Sequence, residues 1–522
     1  MDEKHTNSVH MEEERPHEHA MAVSKAVANY EEAQHAQTKV AAVKENWKGM
    51  LWCAYMFFIC VMFGYDSLAG NIVISITQFR EDFGYPYDGG YVVSADWQLA
   101  FQAATLGGLV IGGWVTGLVV NRWGRQVCVL GGYMLTIGGV FLQYFSRNTA
   151  DYFGAKLLTG IPLGCFVTIA PTYASEISPL VIRGSITAGT NFAIVLGQLL
   201  GYGVTRQASF LEGAMQYKVI FAVQWGFAGV GLAILPFFPE SPYWLVAHGR
   251  IEKARHNIVR LHNADYDVDG HLAEISEALA KDRSENEEQA SFADCFKRDH
   301  WQRTLACVSI IFIQNACGNS WVIGYMSYFM QLGGLSTAKA FDASVGMSGV
   351  MVVGNLCGTW LVEQFGRRGT ALYGTATLCV TLFLIGILAC INSSGAIWGQ
   401  VAFMGVWSFV YQASIGSVAW PIISENPSSR LRVQCQALAT IMNGLSACIW
   451  GFALPYAINP DQGNLGGKIA FVFGAVLVFA VVYIFFQVPE TKGRTYVEID
   501  ELYNNGVSPR KFKETNLVSI VQ

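Results

Sequence analysis

Long apolar runs separated by short charged phrases divide the 522-residue chain into a repeating pattern. A run needs about 20 apolar residues to cross a bilayer as a helix. By that measure six runs lie in the first half, near 50–74, 97–119, 127–145, 152–175, 185–206 and 217–237. Six more lie in the second, near 302–330, 343–363, 370–391, 398–424, 432–458 and 467–487. The pattern predicts an all-α membrane protein with 12 transmembrane helices in two pseudo-symmetric six-helix bundles. It divides the chain into a disordered tail (1–48), an N-terminal bundle (49–238), a helical linker (239–300), a C-terminal bundle (301–488) and a second tail (489–522).

Composition supports lipid as the solvent. The chain is 52% hydrophobic and only 14% charged, against about 25% charged in an average soluble domain. A net charge of −5 with no basic block argues against nucleic acid as a partner. The 12 cysteines have no metal-ligand spacing and sit mostly in apolar runs, which suits packed thiols and no disulfide framework. No metal, cofactor or enzymatic nucleophile motif is found, and no Walker loop, so the reading is a non-enzyme not driven by ATP. The N-terminal tail has no short apolar core with a small-residue cleavage site, and so no removable signal peptide. Its histidines at 5, 10, 17 and 19 are too scattered to hold a metal.

Arginine and lysine fall in alternate loops, at Arg122 and Arg125, Arg183, the stretch 250–260, Arg367 and Arg368, Arg430 and Arg432, and Lys492 and Arg494. Basic loops stay in the cytoplasm, which places both termini and the linker inside. An opposite loop carries Asn392-Ser393-Ser394, a glycosylation acceptor pattern. Within the linker, 251–262 and 270–281 have apolar residues at helical spacing, and Phe292 and Phe296 continue it. Short amphipathic helices on the inner face are expected there.

The charged phrases recur once per half. Asn121–Arg125 reads NRWGR and Gln364–Arg368 reads QFGRR. Glu176 and Arg183 lie seven apart, as do Glu425 and Arg432; Glu240 follows Glu176 by 64 positions, and Glu490 follows Glu425 by 65. Parallel halves related by an axis along the membrane normal are an alternating-access design, with substrate held between them near the midplane.

Together NRWGRQ, SEISPLVIRG, PESPYWL, VEQFGRRG, SENPSSRLR and PETKGRT resemble the signature set of the sugar porter family of the major facilitator superfamily, over about residues 50–500. GIPLG at 160–164, ASEISP at 174–179, GQLLGYGV at 197–204 and CGNSWVIGYMSYF at 317–329 look closer to fungal α-glucoside (maltose-type) permeases. Asn121 departs from the family, which usually has Asp before Arg-x-Gly-Arg. The resemblance implies a plasma-membrane carrier, functional as a monomer, importing an α-glucoside or hexose with a proton. Alternatives are a passive facilitator, a carrier of another polyhydroxy solute (polyol, inositol, quinate) or, more remotely, a sugar sensor.

Three residue sets carry the expected chemistry. Glu176 with Arg125 and Arg183, and Glu425 with Arg368 and Arg432, are expected to lock the inner gate while the carrier faces out; Arg122, Glu240, Glu363, Arg367 and Glu490 complete that set. Arginine suits it because its planar fork grips a carboxylate through two hydrogen bonds. Asp66 lies inside the first apolar run, where a carboxylate costs about 2.5–3.5 kcal/mol even on lenient scales and marks function. It is the expected proton-coupling acid, with Lys156 as its partner, where many family members have Arg. A sugar pocket needs amides and an aromatic face. Matching the family's pattern places sugar contacts at Asn191, Gln198, Gln314, Asn315, Tyr325, Trp420 and Asn443, with Asn355 a weaker candidate and Ser320 where many members have Asn.

Overall fold

The computed structural model describes residues 37–87, 90–208, 210–263, 266–284, 291–332, 334–335, 337–391, 393–428, 430–458 and 465–515, with 32 and 463. Asn392 and the tail histidines lie outside these residues. Six helices form the first bundle: Trp47–Ile72, Ala95–Trp123, Arg125–Phe145, Thr149–Ile177, Arg183–Ala208 and Met215–Ile234. They are the first to sixth spans. In the second bundle the eighth and ninth spans share one helical stretch, Thr337–Leu388, divided at Gly366. The eleventh is Arg432–Ile458 and the twelfth Ala470–Gln487.

Two spans expected to be continuous are broken. The seventh consists of Trp301–Ala316 and Asn319–Leu332, parted at Gly318, whose φ of 90° lies outside the helical range. The tenth consists of Ser394–Ala413 and Ile415–Glu425, parted at Ser414 with φ −128° and ψ −102°. Pro421, inside the second piece, has no N–H to give to the preceding turn. Backbone freed inside a membrane protein is tolerated where it borders a cavity, and both breaks border one.

Glycine sets how closely the spans meet. Gly64 of the first span lies against the Ile194 carbonyl of the fifth, and Gly197 of the fifth lies against the Val61 carbonyl of the first. The second and fourth spans meet in the same way at Gly108, Gly112, Gly160 and Gly164. Small residues let backbones approach where lipid offers no hydrophobic gain from association. Large apolar side chains such as Trp114, Phe141, Tyr373 and Phe479 are exposed on the outside of the bundles, as lipid contact requires.

All the arginine phrases lie at one end of the spans, called here the basic face. The linker covers it with helices Pro242–Ala247, Ile251–Leu261 and Val268–Ser284 and a short 3₁₀ turn at Phe292–Phe296. The first tail, expected to be disordered to residue 48, is helical at Lys39–Glu45 and continues into the first span at Trp47. Local bonding explains this: Thr38 caps the helix, Ala42 is buried, and Asn263 of the linker donates to the Lys44 carbonyl at 3.1 Å. The second tail forms helix Tyr496–Asn504, started by a reciprocal Thr495–Glu498 capping box. On the opposite face, helix Thr77–Phe83 and an antiparallel hairpin pairing Tyr85–Tyr87 with Gly90–Val92 fill the loop between the first two spans.

Candidate functional site

The basic face is built twice from the same parts. Gly124 (φ 89°) turns the second span directly into the third, and Gly366 (φ 80°) turns the eighth into the ninth. Each turn leaves helix N–H groups pointing at a carboxylate, where the helix dipole favours negative charge. Glu240 accepts from the Gln126 N–H at 3.0 Å; Glu490 accepts from the N–H groups of Arg367 and Arg368 at 2.8 and 3.2 Å. The hydroxyl after each acid donates onward, Ser241 to Glu176 and Thr491 to Glu425 at 2.7 Å. Arg125 then donates to Glu176 at 2.7 Å, and Arg367 grips Glu425 with two bonds at 2.9 and 2.7 Å.

This geometry corrects three expected pairings. Glu425 is held by Arg367, the residue right after the glycine as Arg125 is, whereas Arg368 donates to the Phe485 carbonyl at 2.7 Å and lies over the Phe485 ring. Arg183 makes no ion pair among the described residues; its guanidinium stacks 4.2 Å above Tyr496. Arg432 stands 3.7 Å from Glu176 in the other bundle and 3.8 Å from the Tyr496 ring. Tyr496 is thus clasped by one arginine from each bundle, and its hydroxyl donates to the Ser175 carbonyl at 2.9 Å. Arg122 is exposed beside Trp123 and joins no ion pair among the described residues.

Further contacts close the same boundary. Ser185 of the fifth span and Lys39 of the tail helix both donate to Glu363 of the eighth. Above these charges, Thr168 and Thr440 are hydrogen-bonded across the bundles at 2.8 Å.

Over this closure lies a cavity of about 260 Å³ lined from both bundles. Asp66, Lys156, Asn191, Gln198, Gln314, Asn315, Trp420 and Asn443 all line it, so residues scattered over the chain come to one place. Tyr325 belongs to the seventh span's second helix, but its side chain lies outside the described residues. Asn355 is buried behind the wall and donates to Gln412 at 3.4 Å.

Asp66 is 1% exposed and Lys156 2% exposed. Oδ1 of Asp66 accepts from Gln224 at 2.8 Å and lies 3.7 Å from the Lys156 ammonium. Its other oxygen carries no hydrogen bond from the described residues. The amides are linked to one another: Asn191 donates to Gln412 at 2.6 Å across the bundle boundary, and Asn315 donates to Asn443 at 2.8 Å. Trp420 presents a buried indole whose N–H has no partner among the described residues.

Sequence reading missed several lining residues. Gln412 stands at the end of the tenth span's first helix, two residues before the break at Ser414, and lines the cavity. Gln98, Gln102 and Thr105 on the second span also line the cavity. Their three- and four-residue spacing within an apolar run was the available signal.

Two curated relatives and one solved structure set this architecture in context. The chain is 32% identical over 498 residues to a general alpha-glucoside permease of Saccharomyces cerevisiae, covering 94% of this chain and 80% of that one. It is 29% identical over 498 residues to maltose permease MAL31 of the same species, covering 93% and 81%. The major facilitator superfamily proton:xylose symporter XylE, solved with 6-bromo-6-deoxy-D-glucose, superposes with a TM-score of 0.76 at 20% identity, over 88% of this chain and 100% of that one. The profile of the family described as Sugar (and other) transporter matches residues 52–503, and the chain belongs to that family, with the major facilitator fold.

Proposed function

We propose that this chain imports an α-glucoside or hexose together with a proton, by alternating access. The basic face, both termini and the linker would lie in the cytoplasm, in the plasma membrane. The observation that carries this reading is one shared cavity, sealed from the basic face, onto which a buried carboxylate and amides from both bundles open.

The amide set suits a sugar, whose hydroxyls both donate and accept. Asn191, Gln198, Gln314, Asn315 and Asn443 would bind hydroxyls, with Trp420 offering a face to the C–H side of the ring; Tyr325 belongs to the same proposed set. Asp66 would carry the proton. Its ionised form is held by Lys156 and Gln224, and protonation would cancel the attraction to Lys156. The first span would then be freed from the fourth at that level. Proton binding and bundle movement would be coupled through that pair. The relatives' printed names, alpha-glucoside and maltose permeases and a proton:xylose symporter, point the same way.

The test is uptake of labelled maltose and glucose into proteoliposomes carrying the full chain under an imposed pH gradient. Uptake should rise with the gradient and collapse with an uncoupler. Asp66→Asn should abolish accumulation yet leave exchange down a sugar gradient. Uptake indifferent to the proton gradient would make the protein a passive carrier.

A further inference from the structure

The second and eleventh spans form a wall that crosses the bundle boundary in one antiparallel register. A methyl built on Gly113 would meet Thr440, one on Gly444 would meet Val110, and one on Gly451 would meet the Gln102 amide at 2.7 Å. Gln102 therefore reaches across the boundary at a place where the opposite span has no side chain. It lines the cavity with Gln98 and Thr105, and the three share a helix face. The Thr105 hydroxyl is engaged by the Phe101 carbonyl at 3.1 Å. The Gln98 amide N–H donates to the Val93 carbonyl at 2.8 Å, which leaves its carbonyl oxygen. No hydrogen bond from the described residues ends on the Gln102 amide.

These groups stand at a different height from the amide cluster of Asn315 and Asn443. On the eleventh span Asn443, Ala447 and Gly451 follow at four-residue steps on one face, and the rise from Asn443 to Gly451 is about 12 Å. That step exceeds one pyranose ring and suits two rings joined through a glycosidic oxygen. The polar lining thus has two tiers, stacked along the membrane normal away from the basic face.

We propose that the outer tier is a subsite for a second glycosyl unit, with Gln102 as the hydroxyl-binding residue that favours two-ring α-glucosides over one-ring sugars. The inference rests on the sugar-import reading above and deepens it to a preference for chain length. Glycine at 451 is then a specificity position: its missing side chain makes the room in which the Gln102 amide sits.

The experiment compares uptake of maltose and of methyl α-D-glucoside, its one-ring counterpart, by the full chain in proteoliposomes. Gln102→Leu keeps the size and removes the amide; the ratio of the maltose KM to the methyl α-D-glucoside KM should rise about tenfold, as the loss of a hydrogen bond implies. Gly451→Ala, which pushes the amide aside, should move the ratio the same way. An unchanged ratio in both variants overturns the inference and leaves sugar import standing. If Gln102→Leu loses all transport, the ratio in Gly451→Ala decides. A wild-type chain that takes up glucose but neither of these sugars overturns the subsite alone; one that takes up none of the three overturns the reading beneath it as well.

Discussion

Arg432 of the eleventh span stands 3.7 Å from Glu176 of the fourth, an ion pair made across the boundary between the two bundles. Both side chains are buried, and Glu176 is also the partner of Arg125 at 2.7 Å. One carboxylate therefore balances two guanidinium groups, one from each bundle. Removing one partner of a buried pair costs about 3–5 kcal/mol, because the charge left behind has no compensation. Glu176→Gln removes the carboxylate that both guanidinium groups face across the boundary. The variant should open the basic face, exposing Cys435, which is buried beside Cys295 at the foot of the eleventh span. Maleimide labelling of Cys435, read by mass spectrometry, should be faster in the variant; an unchanged rate would show that this ion pair does not hold the face closed.

The adjacent arginines of the eighth-to-ninth turn should not be interchangeable. Arg367 is buried and forks onto Glu425, so Arg367→Ala should lower stability by about 3–5 kcal/mol. Arg368 contributes its backbone N–H to Glu490, which any residue supplies, and a half-buried side chain resting on Phe485. Arg368→Ala should cost about 1 kcal/mol. Thermal unfolding of the two variants in detergent checks this order. The reverse order would restore the pairing of Glu425 with Arg368 that the sequence suggests.

That pair also shows where sequence reading stops. The spans were legible because a bilayer demands long apolar runs and the charged phrases interrupt them at fixed places. Which of two neighbouring arginines faces the carboxylate depends on the left-handed turn at Gly366, a backbone property that composition does not carry. The breaks at Gly318 and Ser414 were hidden for the same reason, since the apolar runs continue through them. Cavity residues such as Asn191 and Asn443 stood out as amides in apolar surroundings. Gln412, an amide in an equally apolar run, carried the same signal and was overlooked. Tyr496 was passed over because it falls in the tail, although the tail helix lays its ring between Arg183 and Arg432. The hairpin on the face opposite the basic one did have a signal, Asp88-Gly89 between short aromatic stretches.

Where the first and fifth spans cross, Gly197 has no room for a side chain, because a methyl there would run into the Val61 carbonyl. Gly197→Ala should therefore destabilise by about 1–3 kcal/mol, the usual cost of overfilling a packed contact. Gly203, six residues along the same helix, has open space around the same position. Gly203→Ala should be neutral or stabilising by up to about 1 kcal/mol, since alanine is the better helix former. Melting temperatures in detergent distinguish the two, and equal effects would mean that this crossing is looser than drawn.

A dependence on pH follows from two histidines in the linker. His262 stacks on Tyr266 with ring centres 3.7 Å apart and bonds to the Asn46 side chain, tying the linker to the root of the first span. His271 bonds to the Tyr266 hydroxyl at 3.2 Å. Burial, and then the neighbouring His271, hold His262 down to about 3. Burial, and then the nearby Arg183 guanidinium, hold His271 down to about 3. Both rings are thus neutral in the folded protein, whereas an unfolded histidine protonates near 6.5. Protons bind the unfolded chain more readily, so the stabilisation is complete above pH 6.5 and is lost as pH falls from there toward 3. At pH 5 the loss is on the order of 2 kcal/mol for each ring. Hydrogen exchange of the linker helices Ile251–Leu261 and Val268–Ser284 should accelerate between pH 6.5 and 5, after correction for the intrinsic rate. Replacing both histidines, as His262→Gln with His271→Gln, should flatten that dependence; a slope that survives the double replacement would assign the acid sensitivity to other groups.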